Sequence, residues 1–220
     1  FSPDAHAANI NAADVNALLA TPVGGTVTIP GMPLDASRAG PILLKRINVY
    51  APDARVQVVE NGVARDVPHS DWLSFVADKS VANSPYLGFA MAPDGSRIDG
   101  GIFGDDGRLY AVEGQRGADG IALNVWDATD NNRDGSEFVG SCANDLSPEL
   151  RLPTKSEAEA AFANFPEAAK AVTGGLSSAR VAIDSDVEFL NLRFANNTGT
   201  ADTWLTSLFT QLNVIYERDL

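Results

Sequence analysis

The chain has 220 residues, of which 45% are hydrophobic, enough to bury one large core or two small ones. Its formal charge of −13 and the absence of clustered Lys and Arg argue against nucleic acid as a partner, because phosphate binding requires grouped cations. No apolar run approaches the roughly 20 residues of a membrane helix, and a single cysteine excludes an internal disulfide framework.

The N-terminal segment predicts a short helix followed by a strand. Residues 8–20 carry an apolar face at helical spacing, and Thr21-Pro22 ends the helix. Residues 24–31 follow as a strand bounded by glycines. Pro30 places this strand at a sheet edge or at a strand end, because proline cannot donate to the ladder.

The next segments predict antiparallel pairing. Residues 42–50 and 55–62, joined by the turn APDA, are expected to form a hairpin. Residues 86–114 contain three short apolar runs separated by turn sequences at 92–95 and 104–107, each ending in Asp-Gly. Because Asp-Gly tolerates the positive φ of tight hairpins, a three-stranded meander is the simplest interpretation.

Beyond the meander the pattern changes from strand to helix. Residues 121–126 are expected to extend the sheet. Residues 154–172 have the capping pattern of a helix, which Pro166 should kink. A boundary follows at 174–178, where glycines end the helical segment. The sequence therefore predicts an α+β protein that is mainly antiparallel β.

The last segment, 202–220, predicts an amphipathic helix. Its apolar stripe comprises Trp204, Leu205, Leu208, Phe209, Leu212, Ile215 and Tyr216. Leaving so many large apolar side chains in water is unfavourable. We therefore expect this helix to dock on the β-rich region or on a second copy of the chain.

Two stretches carry a resemblance to a known family. The sequence ARVAIDSDVEFL at 179–190, followed by a loop and SLFTQLNVIYERDL at 207–220, resembles the start of the catalytic domain in bacterial reprolysin-like (adamalysin-type) zinc metallopeptidases, which are metzincins. Residues 75–114, with a displayed Ser/Pro segment, a PDG turn and a GRLY strand, are similar to the β-rich pro-region of the same proteins. The resemblance covers roughly residues 40–220.

The resemblance implies a division of the chain into three parts. Residues 1–150 would form the β pro-domain, 151–178 a helical connector with the processing linker, and 179–220 the opening β-α unit of a metzincin domain. At the end of the connector, the stretch 174–180 with Gly174, Gly175 and Arg180 is the expected processing site, because its composition favours an accessible linker. The resemblance implies a secreted or periplasmic/extracellular location. The initial Phe in place of Met predicts that the start of the chain has been removed, for which a signal peptide is one explanation.

The catalytic motif of the family is missing from this sequence. In these enzymes zinc is held by HExxHxxGxxH, with the Glu as general base. The chain has two histidines, His6 and His69, and no HExxH, so we expect it to be inactive alone. The resemblance implies that zinc and the active site belong to a catalytic domain beyond Leu220. That domain would be the partner of the chain, which would keep the parent enzyme latent and assist its folding.

Cys142 is a candidate latency residue. A thiolate that occupies the coordination position of the zinc-bound water would prevent formation of a zinc hydroxide. Cys142 precedes the expected catalytic start by about 37 residues, close enough for a loop to reach back. Its flanks lack the Cys-Gly and basic neighbours of such switches, and a lone cysteine is often a small buried hydrophobe. Both interpretations stay open.

The segment DNNRDG at 130–135 matches the beginning of a calcium loop. Asp130, Asn132 and Asp134 occupy the first, third and fifth positions, where oxygen donors converge on Ca²⁺. The twelfth position is Ser141 instead of a bidentate Glu, so a polar surface turn is the alternative. If the loop binds calcium, the chain becomes a non-enzymatic extracellular binding or adhesion module. Calorimetry with Ca²⁺ separates this function from a pro-region.

Two further groups have weaker functional interpretations. His69 lies between Asp66 and Asp71, which suggests acid/base chemistry in an independent hydrolase, but a turn histidine before the strand at Trp72 is the simpler alternative. No GxSxG nucleophile motif accompanies it. The alternating acids Asp184, Asp186 and Glu188 would share one face of a strand and bind a cation, or mark a solvated strand end.

Overall fold

The computed structural model describes residues 6–35, 38–60, 63–104, 108–128 and 187–219. All of them belong to one compact unit, which comprises residues 1–133 and 184–220. A second unit, 134–183, lies outside the described residues, as does the predicted helix at 154–172.

Within these ranges the chain forms ten strands and three helices. The strands are β1 (His6–Asn11), β2 (Thr26–Pro33), β3 (Ala39–Ile47), β4 (Val56–Glu60), β5 (Val63–Val67), β6 (Leu73–Ala77), β7 (Tyr86–Met91), β8 (Arg97–Phe103), β9 (Leu109–Arg116) and β10 (Gly120–Asp127). The helices are α1 (Ala12–Ala20), α2 (Val187–Phe194) and α3 (Thr198–Asp219). The predicted α+β class, mainly antiparallel β, is confirmed at this level.

Eight strands form one antiparallel sheet in the order β1-β10-β9-β8-β7-β6-β3-β2, and β4 and β5 form a separate two-stranded sheet. The large sheet curls until its two edge strands, β1 and β2, lie in contact. Its concave side encloses the core, which includes Ile10, Ile29, Leu44, Phe75, Leu87, Phe89, Met91, Ile98, Ile102 and Leu123. The rings of Phe75 and Phe89 stack there with centroids 5.4 Å apart.

Helix α1 packs its buried Val15 and Leu18 against this core. Asn11 caps the helix, because its side chain accepts a hydrogen bond of 2.9 Å from the Asp14 amide. The predicted end at Thr21-Pro22 is confirmed. The predicted beginning is wrong: residues 8–11 belong to β1, where Asn9 lies opposite Ala122 of β10. Pairing with a distant strand therefore overrides the local helical pattern.

The predicted hairpin between 42–50 and 55–62 is also wrong. Strand β3 pairs with β2 on one side and β6 on the other, whereas β4 pairs with β5. The physical reason is burial: β3 places Ile42 and Leu44 in the core, whereas Val59 and Val63 of the β4–β5 hairpin are 67% and 68% exposed. Strand β3 therefore buries one face in the core of the large sheet, where β2 and β6 pair with its two edges.

The meander at 86–114 is confirmed as β7, β8 and β9, and 121–126 extends the sheet as part of β10. Gly95 at the first turn has φ +69, the left-handed conformation that the Asp-Gly sequence predicted. Strand β2, with Pro30, lies at an edge as expected.

The segment that follows residue 186 is helical. Glu188 lies in α2, so the prediction that it belongs to a strand is wrong. Asp184 and Asp186 lie outside the described residues. The predicted terminal helix is confirmed, and α3 begins at Thr198, ahead of the predicted start. No helix in the described ranges is long and apolar enough to cross a membrane.

Candidate functional site

Seven of the candidate residues from the sequence fall outside the described part of the chain. They are Cys142, the calcium-loop residues Asp130, Asn132 and Asp134, and the processing residues Gly174, Gly175 and Arg180. Their roles stay predictions. The described site is therefore built from other residues, which lie where α3 meets the convex face of the sheet.

Helix α3 is seated on strands β6, β7 and β8 by its polar side. Asp202, Thr206, Thr210 and Val214, spaced four residues apart, are buried. Ser207 beside them is buried as well. The predicted apolar stripe is not the buried face: Leu205, Leu208, Phe209, Leu212 and Ile215 are only half-buried, and Trp204 is 43% exposed.

Small residues on the sheet explain this orientation. The convex face beneath α3 presents Ser74, Gly88 and Gly101, which alternate with the large core residues of the same strands. A Cβ built on Gly88 would lie 2.6 Å from Cγ2 of Val214 and 2.9 Å from the carbonyl oxygen of Thr210. The helix backbone therefore approaches the sheet more closely than any side chain at position 88 would permit.

Asp202 connects α3 to two loops. Its Oδ1 accepts a hydrogen bond of 2.9 Å from the hydroxyl of Tyr50, and its Oδ2 accepts one from the Ser70 amide. The carboxylate belongs to a residue only 4% exposed, so these hydrogen bonds offset the loss of its hydration. We call this group the Asp202 clamp.

The chemistry of Tyr50 fits its role as donor in the Asp202 clamp. Burial raises the pKa of the Tyr50 phenol well above its ordinary value, and the neighbouring Asp202 carboxylate adds to this effect. The phenol therefore keeps its proton over the whole physiological pH range. Its oxygen also lies 2.8 Å from the Thr206 hydroxyl, one turn further along α3.

Two more polar contacts continue along the helix. The Thr210 hydroxyl lies 2.8 Å from Oγ of Ser74 in β6, and both residues are buried. The Ser207 hydroxyl donates to the backbone oxygen of Asp99 in β8 over 3.2 Å. Polar groups thus hold α3 over three turns, where an amphipathic helix normally packs with its apolar stripe.

His69 lies in the segment between β5 and β6, as the turn interpretation predicted. Its ring stacks on Tyr50 with centroids 4.7 Å apart. Asp66 is engaged elsewhere, since its carboxylate accepts hydrogen bonds from Arg55 and from Gln57 at 2.7 Å. The geometry therefore gives no support to an acid/base pair of His69 with Asp66.

A groove of about 1050 Å³ runs beside the Asp202 clamp. Segment 68–72, strands β8 and β9 and the α2–α3 region line it. Its sheet side carries the ion pair between Arg97 Nε and Asp99 Oδ2, 2.9 Å apart. On the helix side, Trp204 packs edge-on against Phe189 and is tilted against Phe194, with ring centroids 5.8 and 5.9 Å apart.

Among the described residues, no group of three His, Cys, Asp or Glu side chains is placed to hold a metal ion. The two histidines of the chain, His6 and His69, cannot supply the three that a HExxHxxGxxH zinc site needs. Comparison with protein-family models, with curated proteins and with solved structures finds no match to the chain.

Sequence reasoning missed the Asp202 clamp. Tyr50 and Asp202 are 152 positions apart, and nothing in the sequence around Tyr50 indicates their contact. A partial signal was present in α3 itself. Asp202, Thr206 and Thr210 recur at intervals of four, which forms a second, polar stripe beside the apolar one.

Proposed function

We propose that the chain serves as the pro-region of a secreted zinc metalloendopeptidase precursor, which it keeps latent and helps to fold. In this proposal the curled sheet holds α3, whose sequence resembles the first helix of a metzincin catalytic domain. The observation that carries the proposal is the seating of α3 by its polar side, with its apolar stripe directed away from the core of the sheet.

The two sides of α3 support this function in different ways. The buried polar side binds the loop residue Tyr50 through Asp202 and Thr206, and Ser74 of the sheet through Thr210. The half-buried apolar stripe with Trp204 is the side that a helix of a larger domain buries against its own sheet. A pro-region that binds the polar side leaves the apolar stripe accessible for assembly of the enzyme.

Assistance in folding follows from holding the helix in place. An isolated helix must overcome a costly nucleation step, and most helical stability in proteins comes from packing. The Asp202 clamp and the contact between Thr210 and Ser74 supply such packing from the pro-region side. The sheet would therefore present α3 as a formed helix to the rest of the catalytic domain.

The test uses the full-length product of the gene that encodes the chain. We expect it to bind zinc and to cleave a quenched peptide only after proteolytic processing. A processed protein without zinc and without endopeptidase activity contradicts the proposal. A chelator such as 1,10-phenanthroline should abolish the activity, which controls for contaminating serine proteases.

Latency through Cys142 is tested in the same precursor. If its thiolate occupies the zinc position, Cys142→Ser should raise the activity of the unprocessed form, because water regains the open coordination site. Ser141→Ala is the matched control next to it in the sequence. Equal latency of both variants would remove Cys142 from the mechanism without removing the pro-region function.

A further inference from the structure

We propose that the convex face of the sheet retains segment 187–219 as a noncovalent partner after the polypeptide that links them is cut. The pro-region would then remain bound to the processed enzyme through α3 and dissociate in a second, separate step. This inference rests on the proposed function for the identity of α3 as part of an enzyme, but the contact itself does not depend on it.

The contacts that hold α3 come from residues far away in the sequence. Asp202 binds Tyr50 and Ser70, at separations of 152 and 132 positions, and Thr210 contacts Ser74 across 136. Each of these contacts joins a residue that precedes the segment 129–186 in the sequence to a residue that follows it. Cutting the chain inside that segment removes none of them.

The chemistry of the surface favours retention. A buried carboxylate that accepts two hydrogen bonds contributes more than a neutral pair, and Asp202 is such a group. The close approach at Gly88 adds van der Waals contact along the helix backbone. The surface therefore has both a polar anchor and a complementary shape.

The same chemistry makes release feasible. The face of α3 against the sheet is lined by Asp202, Thr206, Ser207 and Thr210, all of which can return to water, and Val214 is the one buried hydrophobic residue of the described part of α3. Permanent interfaces resemble a divided apolar core, whereas reversible ones carry more polar groups. The contact between α3 and the sheet belongs to the reversible class.

The surface also defines the partner that it fits. A ligand helix must carry a carboxylate, with hydroxyl side chains four and eight residues later, as Asp202, Thr206 and Thr210 do. It must also place its backbone, and a side chain no larger than valine, against Gly88, as Thr210 and Val214 do. A peptide of residues 187–219 meets both conditions and should compete with the bound segment.

The experiment introduces a specific protease site into 174–180 of the full chain, cuts it, and analyses the product by size-exclusion chromatography and native mass spectrometry. The two fragments are expected to elute together at micromolar concentration. Separation of the fragments, while circular dichroism shows that the sheet remains folded, overturns the inference.

Variants sharpen the test. Asp202→Asn and Thr210→Val should each weaken retention by about tenfold, because each leaves a buried partner without its hydrogen bond. Arg55→Ala, immediately before the exposed β4–β5 hairpin, is the control and should leave retention unchanged. Equal retention in all three variants means that the fragments associate through another surface, and it also overturns the inference.

The outcome can be distinguished from failure of the proposed function. Retention of the fragments requires neither zinc nor peptidase activity. Fragments that elute together from a parent protein without zinc would remove the metallopeptidase assignment and leave this surface in place. If the fragments separate although the parent protein is an active zinc enzyme, the metallopeptidase assignment stays and this inference is overturned.

Discussion

The two faces of the curled sheet are both buried around β7, but by different chemistry. Along this strand Leu87, Phe89 and Met91 point into the apolar core, whereas Gly88 and Ala90 lie beneath α3. The concave face is held by dispersion and the hydrophobic effect, which make it part of a permanent fold. The convex face is held by close approach and hydrogen bonds. Strand β7 therefore packs a permanent apolar core on one side and the polar side of α3 on the other.

The largest expected effect is on the concave face. Phe89→Ala should lower the free energy of unfolding by about 4 kcal/mol, because Phe89 is fully buried and stacks on Phe75. Urea denaturation followed by circular dichroism measures this change. A loss below about 1 kcal/mol would mean that the core relaxes around the cavity, and the distinction between the two faces would weaken.

Gly88→Val should displace α3 and cost about 2 kcal/mol, since the new side chain would overlap Val214 and the Thr210 carbonyl. Hydrogen exchange should show loss of protection in α3 with protection retained in β7 and β8. Equal loss in helix and strands would indicate that the two faces are not separable.

Asp202→Asn should cost about 1–2 kcal/mol, because the amide keeps one acceptor oxygen and directs N–H groups toward a donor. Hydrogen exchange should show lower protection of the backbone amides in the N-terminal turns of α3, near Tyr50 and Ser70. Thr200→Ala, at an exposed position in the first turn of the same helix, is the control. If both substitutions have the same effect, the Asp202 clamp does not anchor the helix.

The smallest expected effect belongs to the exposed β4–β5 hairpin. Hydrogen bonds from Arg55, which has the larger effect, and from Gln57 lower the pKa of the Asp66 carboxyl. This interaction is complete above the ordinary pKa of aspartate and is lost as the pH falls through the lowered value. Arg55→Ala should raise the pKa of Asp66 toward normal in an NMR titration, with no change in the midpoint of global unfolding.

Local signals in the sequence predicted local structure well. The Asp-Gly turns specified the meander, and Thr21-Pro22 specified the end of α1. Features that depend on distant partners were not predictable. Residues 8–11 form a strand because β10 pairs with them, and β3 pairs with β6 rather than with the segment that follows it. The wide apolar stripe of α3 concealed its polar stripe, so the seated side was predicted incorrectly.

The pairing of β1 with β10 has a consequence for synthesis on the ribosome. His6–Asn11 leaves the exit tunnel long before its partner strand, which ends at Asp127. The nascent chain must therefore carry an unpaired N-terminal strand through the translation of nearly the whole sheet, a period in which chaperones have access to it. The sheet acquires its edge on that side last, although the residues that form it are made first.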